Sequence, residues 1–210
     1  MKNILLLFAL LQSGIFAMAQ MKAVTENGDQ VILYDSGTWE YEDKSVDPEV
    51  EIPVNTAEFK KGASSSFLLN STKNRTGIWL DPKKWTFKKA GSNAAAEYEF
   101  QLRDGDLYAM IVNEKVEIPL HNLREIALTN ARSVASDVQI VNEEYRNVNG
   151  LKVLQMRITG VIQGMKFTYF GYYYSGKSGT CQFITYTYGS LFSEYMSTSE
   201  ELLNGLVETE

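Results

Sequence analysis

The chain has 210 residues, carrying 20 lysines and arginines against 26 aspartates and glutamates for a net charge of −6. That balance excludes nucleic acid and anionic lipid as general partners, because both need a basic face. A single cysteine, Cys181, excludes an internal disulfide, and the length allows one sizeable domain with a small extra module.

The chain opens on a short basic segment, Met1-Lys2-Asn3, followed by an apolar run from Ile4 to Ala17 broken only by Gln12 and Ser13. Ala17-Met18-Ala19 then offers the small-x-small pattern of signal peptidase, so residues 1–19 read as a secretory signal removed before Gln20. The apolar run falls short of the ~20 residues of a spanning helix, and no later stretch approaches that length. The expected product is exported, to the periplasm or outside the cell, with 191 residues, a net charge of −7 and no transmembrane segment.

Residues 20–41 read as a three-strand β-meander. Asn27-Gly28 and Ser36-Gly37 are its turns, and Val31, Leu33 and Trp39 its apolar face. About 20 residues are too few to be firmly stable alone. Residues 42–66 read as an acidic, proline-containing linker, with Glu42, Asp43, Asp47, Glu49, Glu51 and Glu58 against Lys44 in its first part. Those carboxylates lack the D-x-D-x-D-G spacing of a calcium loop, so no metal site is expected. Asn70-Ser71-Thr72 and Asn74-Arg75-Thr76 match the glycosylation acceptor pattern, an idle match in an exported bacterial chain.

Residues 67–210 form the main domain. Ile78-Trp79-Leu80 is a strand stopped by Asp81-Pro82. Tyr98, Phe100 and Leu102 alternate with Glu97, Glu99 and Gln101, and a turn at Arg103–Asp106 leads into a return strand from Leu107 to Val112. Glu97/Glu99 and Asp104/Asp106 are the two spacings from which a catalytic carboxylate pair could be built, and a solvated face is the plainer reading of both. Pro119 opens an amphipathic helix to Ser136, whose Leu120, Leu123, Ala127, Leu128, Ala131, Val134 and Ala135 recur every three or four residues. His121, the lone histidine, lies on its surface with no partners for zinc or a hydrolytic triad. Strands at Val138–Val141 and Glu143–Arg146, a turn at Asn149-Gly150 and a strand from Leu151 to Ile162 follow. The last of these turns Leu154, Met156, Ile158 and Ile162 to one buried face and Gln155, Arg157 and Thr159 to a wetter one. Thr198 and Glu201 carry the spacing of a capping box, with Leu202, Leu203, Leu206 and Val207 as the stripe of a closing helix.

One stretch admits two incompatible readings. Gly171 to Ser178 satisfies the phosphate-loop pattern G-x-x-x-x-G-K-[ST]. Yet Tyr172, Tyr173 and Tyr174 fill the loop, and Thr180, Phe183, Ile184, Thr185, Tyr186, Thr187 and Tyr188 follow where a helix must begin. Aromatic and β-branched residues favour strand, so the stretch is expected to be a β-hairpin turning at Ser175–Gly179, with no nucleotide and no cofactor. Cys181 then sits in a strand as a buried, inert thiol.

The order of elements from Ile78 to Val207 resembles the photosystem II extrinsic protein PsbP and a Ran-binding nuclear import factor. The features that carry it are Pro82-x-x-Trp85, the helix from Pro119, Val148-Asn149-Gly150 before a long meander, and Glu200-Glu201-Leu202-Leu203. The resemblance implies an α+β fold, a curved antiparallel sheet between helices in an α/β/α sandwich, and a non-enzymatic binding or scaffold role. Ala23 to Trp39 resembles short modules near the N-termini of exported proteins in the Bacteroidetes. The expected function is an exported binding or assembly domain of the cell envelope. Tyr172 and Tyr174 are its candidate contact residues, since Tyr169, Tyr172, Tyr173 and Tyr174 exceed what one core face absorbs. An extracytoplasmic hydrolase with a carboxylate pair is the alternative.

Overall fold

A computed structural model describes residues 20–24, 30–34, 37, 39–41, 52–91 and 93–209. The expected signal segment, the expected Asn27-Gly28 turn and the acidic residues from Glu42 to Glu51 lie outside these. The chain divides into two units, Met1–Val50 and Glu51–Glu210.

In the first unit β1 (Gln20–Val24) pairs antiparallel with β2 (Gln30–Tyr34), setting Met21 opposite Leu33 and Ala23 opposite Val31. Strand β3 (Trp39–Tyr41) pairs with the other edge of β2, and Val31 is buried.

The second unit starts earlier than its hydrophobic pattern indicates. Val54–Phe59, expected within the linker, is β4, the parallel edge strand of an eight-stranded sheet. Its side chains are mostly exposed, so no apolar alternation marks it in the sequence. There follow β5 (Phe67–Asn70), β6 (Thr76–Leu80), β7 (Trp85–Lys89), β8 (Tyr98–Leu102) and β9 (Tyr108–Glu114). Helix α1 (Leu120–Val134) leads to β10 (Gln139–Val148), β11 (Leu151–Ile162), β12 (Met165–Gly176) and β13 (Gly179–Tyr188). Helix α2 (Phe192–Leu203) and β14 (Leu206–Glu208) close the fold. The large sheet runs β4-β10-β11-β12-β13-β9-β8-β7, and a small one runs β14-β6-β5. Every pairing among these is antiparallel except β4 with β10.

The two expected pieces around 138–146 are the single strand β10, interrupted by a bulge between Ile140 and Asn142. The Asn149-Gly150 turn stands as expected, both residues at positive φ (50° and 86°), the conformation that asparagine and glycine tolerate. Asn149 also uses its side chain. Its amide donates to the carbonyls of Asn204 and Leu206 at 2.8 Å each and its oxygen accepts from Lys61 N–H, tying this turn to the end of α2.

Both faces of the large sheet carry a core. On one, Leu123, Ala127 and Leu128 of α1 pack on Leu154, Met156, Ile158, Tyr173 and Ile184. On the other, Phe192, Leu202 and Leu203 of α2, with Ile78, Leu80 and Leu206 of the small sheet, pack on Val153, Phe170, Tyr172, Cys181 and Phe183. The face of β11 expected to be wetter is therefore covered, and Gln155 on it is completely buried. The closing helix starts at Phe192, whose ring lies 5.8 Å from Phe170, so Thr198 is mid-helix and Glu201 reaches Lys84 at 2.7 Å in place of a cap. Leu206 and Val207 leave the helix at Gly205 and pair with Ile78 and Gly77 as a strand. Among the described residues no helix is long and apolar enough to cross a membrane.

Candidate functional site

Tyr172 and Tyr174, expected at a contact surface, are core residues, 0% and 6% exposed. The sheet has two packed faces, not one, and alternation along β12 divides its rings between them. Phe170, Tyr172 and Tyr174 lie beneath α2 and the small sheet, and Tyr173 lies beneath α1. The Tyr172 hydroxyl accepts from Arg146 Nη1 and donates to Asn204 Oδ1, both at 2.9 Å. Burial pushes its pKa up to about 12, Arg146 pulling the other way. Arg146 is the hub of this region. Its guanidinium binds Glu144 and Glu200, each at 2.5 Å, and stacks 4.3 Å over Phe59 of β4.

The carboxylate pairs do not assemble into acid–base machinery. Glu97 is no solvated side chain. One oxygen accepts from Ser71 Oγ (2.7 Å) and Asn113 Nδ2 (2.9 Å), the other from Thr72 N–H (2.6 Å) and Thr72 Oγ1 (2.8 Å). Burial raises its pKa, but those four donors together outweigh burial and hold it below the ordinary glutamate value, the wrong direction for a general acid. Glu99 turns instead to Lys88 at 3.3 Å. Asp104 and Asp106 are exposed on the β8–β9 turn, as is His121 on α1.

Glu97 fastens the β5–β6 turn to β9, and this makes stability depend on pH. A carboxylate whose folded pKa is depressed contributes stability above its unfolded pKa, near 4.5, and loses it as pH falls through the lower folded value. Glu97→Gln is expected to be less stable than the parent at pH 7, with the gap closing below pH ~4.5. Denaturant midpoints measured across that range check this, and a gap constant with pH contradicts it.

The phosphate-loop pattern lies within a hairpin. β12 and β13 pair from Phe167↔Tyr188 to Gly176↔Gly179, so Lys177 and Ser178 alone form the turn and Ser178 precedes a strand. The turn is tighter than the expected Ser175–Gly179, because Ser175 and Gly176 already pair. Gly171 is mid-strand, where a side chain would come within 3.0 Å of Ile184 Cγ1. Cys181 is fully buried and burial pushes its thiol pKa well up, so it is an inert core residue as expected. The two glycosylation patterns are spent structurally: Ser71 and Thr72 bind Glu97, and Asn74 Nδ2 donates to Thr180 O at 2.8 Å.

An aromatic surface does exist, beside α1. Residues facing the α1 side continue past the helix onto β12, β13 and β9, where Phe167, Tyr169, Tyr186, Tyr188 and Tyr108 remain half-buried or exposed. Phe167 lies 5.1 Å from Tyr188, Tyr169 5.9 Å from Tyr186, and Tyr186 5.7 Å from Tyr108 with the planes only 21° apart. Side chains stand roughly perpendicular to a sheet, so the stacked rings of Tyr108 and Tyr186 present edges and hydroxyls outward rather than faces, while the other two pairs are tilted by 32° and 36°. Burial raises the pKa of Tyr169, and burial with Glu99 raises that of Tyr186, so both remain neutral phenols that can donate and accept. Sequence reasoning named Tyr169 but missed Tyr108, Tyr186 and Tyr188. The signal was present as Phe167-x-Tyr169 and Tyr186-x-Tyr188, a period of two that sets each pair on one face.

No protein-family model and no curated protein matches the chain. Among solved structures it is similar to PsbP (CyanoP) from Synechocystis sp. PCC 6803, with a TM-score of 0.52 and 12% identity over 70% of this chain and 94% of that one. It is also similar to LpqN, described as involved in cell envelope biogenesis of Mycobacterium tuberculosis, with a TM-score of 0.47 and 13% identity over 69% of this chain and 90% of the other. The fold is PsbP-like, as the resemblance implied.

Proposed function

We propose that this protein is an exported, non-enzymatic binding or assembly domain of the bacterial cell envelope, and that it meets a protein partner through the open aromatic face beside α1. Export rests on the leader pattern of residues 1–19. The carrying observation is the row Phe167, Tyr169, Tyr186, Tyr188 and Tyr108, which α1 covers only in part: Tyr169 packs against the helix's core cluster, Tyr188 is exposed and the others are half-buried. Tyrosine is enriched at protein interfaces because a rigid ring and a hydroxyl supply area and hydrogen bonding together. A glycan or a base would need an exposed ring face, and the faces of Tyr108 and Tyr186 are turned to each other. The carboxylates support no competing hydrolytic reading, since Glu97 is donor-saturated and Glu99 is paired.

A photoreactive group at position 188 of the mature chain, in its own envelope fraction, is expected to capture a discrete protein partner. The same group on β4, at position 56, is expected to capture none. Tyr186→Ala with Tyr108→Ala should weaken that association about 30-fold or more, the scale of two interface side chains worth about 1 kcal/mol each, while circular dichroism stays unchanged. Capture that survives the double substitution in a folded protein refutes the aromatic face as the contact.

A further inference from the structure

A second surface lies at the free edge formed by β7, away from the aromatic row. The chain is acidic as a whole, yet residues 60–89 hold eight lysines and arginines against Asp81 alone, a net +7, leaving −13 for the rest. Four of those cations, Lys83, Lys84, Lys88 and Lys89, run along β7 and the turn before it, all exposed. Lys84 is paired with Glu201, and Lys88 pairs loosely with Glu99 at 3.3 Å while its side chain stays 75% exposed. Lys83 and Lys89 have no ion-pair partner among the described residues. A shallow hollow at the start of the strand adds Arg103 to Lys83 and Lys84, with Asp104 the one carboxylate lining it.

Between these charges sits an exposed apolar step. Phe87 of β7 stacks 5.4 Å from Phe67 of β5, and the rings are 39% and 40% exposed. β5 and β7 are the end strands of their two sheets, so the rings lie where both ladders stop. The backbone of β7 is open on the same side. Arg103 N–H donates to Lys84 O, and Ala90 N–H donates to Glu97 O, at opposite ends of the β7–β8 ladder. Antiparallel alternation between these turns Thr86 and Lys88 inward to β8 and points the N–H and C=O of Phe87 and Lys89 outward. Trp85 N–H, also outward, is consumed by Asp81 O.

We infer that this edge takes an extended, acidic polypeptide segment as an added strand beside β7. The peptide's backbone pairs with Phe87 and Lys89, an apolar side chain rests on the Phe67–Phe87 step, and carboxylates meet the lysines. Strand addition draws affinity from main-chain hydrogen bonds and specificity from alternate side chains. Lysines on an edge also discourage self-association, and they do so without preventing pairing to a partner of opposite charge. An anionic membrane fits less well, because backbone groups turned toward lipid would have no partners.

The test uses the mature full-length chain and two labelled octapeptides, one alternating valine with glutamate, the other valine with lysine. Fluorescence anisotropy is expected to show the acidic peptide binding at least tenfold tighter, with the difference shrinking at high salt. Lys83→Glu with Lys89→Glu should weaken it about tenfold, the scale of two exposed charge contacts. Both side chains are solvent-facing, so this variant retains the fold. Amide exchange at Phe87 and Lys89 should slow when the acidic peptide is added, which simple charge attraction would not produce. Equal binding of the two peptides, no binding at millimolar concentration, unchanged exchange at those amides, or capture by anionic vesicles but not by peptide each overturns the inference. Tyr186→Ala with Tyr108→Ala leaves the peptide result unchanged if the two surfaces are separate, and abolishes it if they are one.

Discussion

Replacing Arg146 by alanine is expected to lower the unfolding free energy by about 3–5 kcal/mol, the cost of removing one partner from a buried ionic cluster. The side chain is 8% exposed and answers Glu144 and Glu200 at once, so its loss leaves two carboxylates facing each other beneath α2. It also removes a donor from the Tyr172 hydroxyl and the cation resting on Phe59. Glu144 and Glu200 retain 18% and 30% exposure, and the water they reach places the expectation toward the lower end of that range. Tyr172→Phe should cost less, about 1–2 kcal/mol, because Arg146 keeps its carboxylates and only one hydroxyl is lost. Urea midpoints at neutral pH measure both. Arg146→Ala with Glu200→Gln should be less destabilised than the two single changes added together, since the second removes part of the repulsion the first exposes. If Arg146→Ala lies within 1 kcal/mol of the parent, the cluster behaves as a solvated surface pair and does not pin β4 and α2 to the sheet.

That cluster shows where the sequence stops being informative. Arg146 and Glu200 are 54 positions apart and reach each other only because α2 folds back onto the sheet over β12 and β13, within reach of the Arg146 side chain. What could be read was local. The alternation of Leu154, Met156 and Ile158, the spacing of Leu123, Ala127 and Leu128, and the β-forming residues around Gly176 each specify an element through period or propensity, and each element formed. What could not be read was which faces would be covered. β4 is a six-residue polar edge strand with no alternation, and Leu206-Val207 continues the apolar stripe of the helix before it. Without β14 and the small sheet it forms with β6, the α2 side of the large sheet looks half-solvated, and a run of tyrosines looks like too many for one core. With both faces packed, Tyr172 and Tyr174 go inside, and the partly open rings are Phe167, Tyr169, Tyr186 and Tyr188, whose period-two spacing went unused as a surface signal.

The glycines around the hairpin turn test that same local logic. Gly179→Ala is expected to lose about 3 kcal/mol or more, and Gly176→Ala only about 1 kcal/mol. Gly179 holds φ at +131°, a conformation closed to side-chain-bearing residues, and a Cβ there would run into the backbone carbonyl of Glu114 on β9. Backbone cannot step aside without undoing the Thr180↔Glu114 pairing that joins β13 to β9. A Cβ on Gly176 would meet only the outer end of the Tyr174 ring, which can tilt at the expense of its long 3.3 Å hydrogen bond to Glu208. Thermal and urea unfolding of both variants should return this order. A nucleotide-cradling loop demands the reverse, because there the glycine directly before the lysine allows the chain to curl around phosphate, whereas Gly179 lies outside the pattern. Sensitivity concentrated at Gly176 with tolerance at Gly179 would mean that the turn is built to face an anion. Sensitivity at Gly179 means that it is built to let β9 lie against β13, and the lysine between them merely occupies an exposed corner.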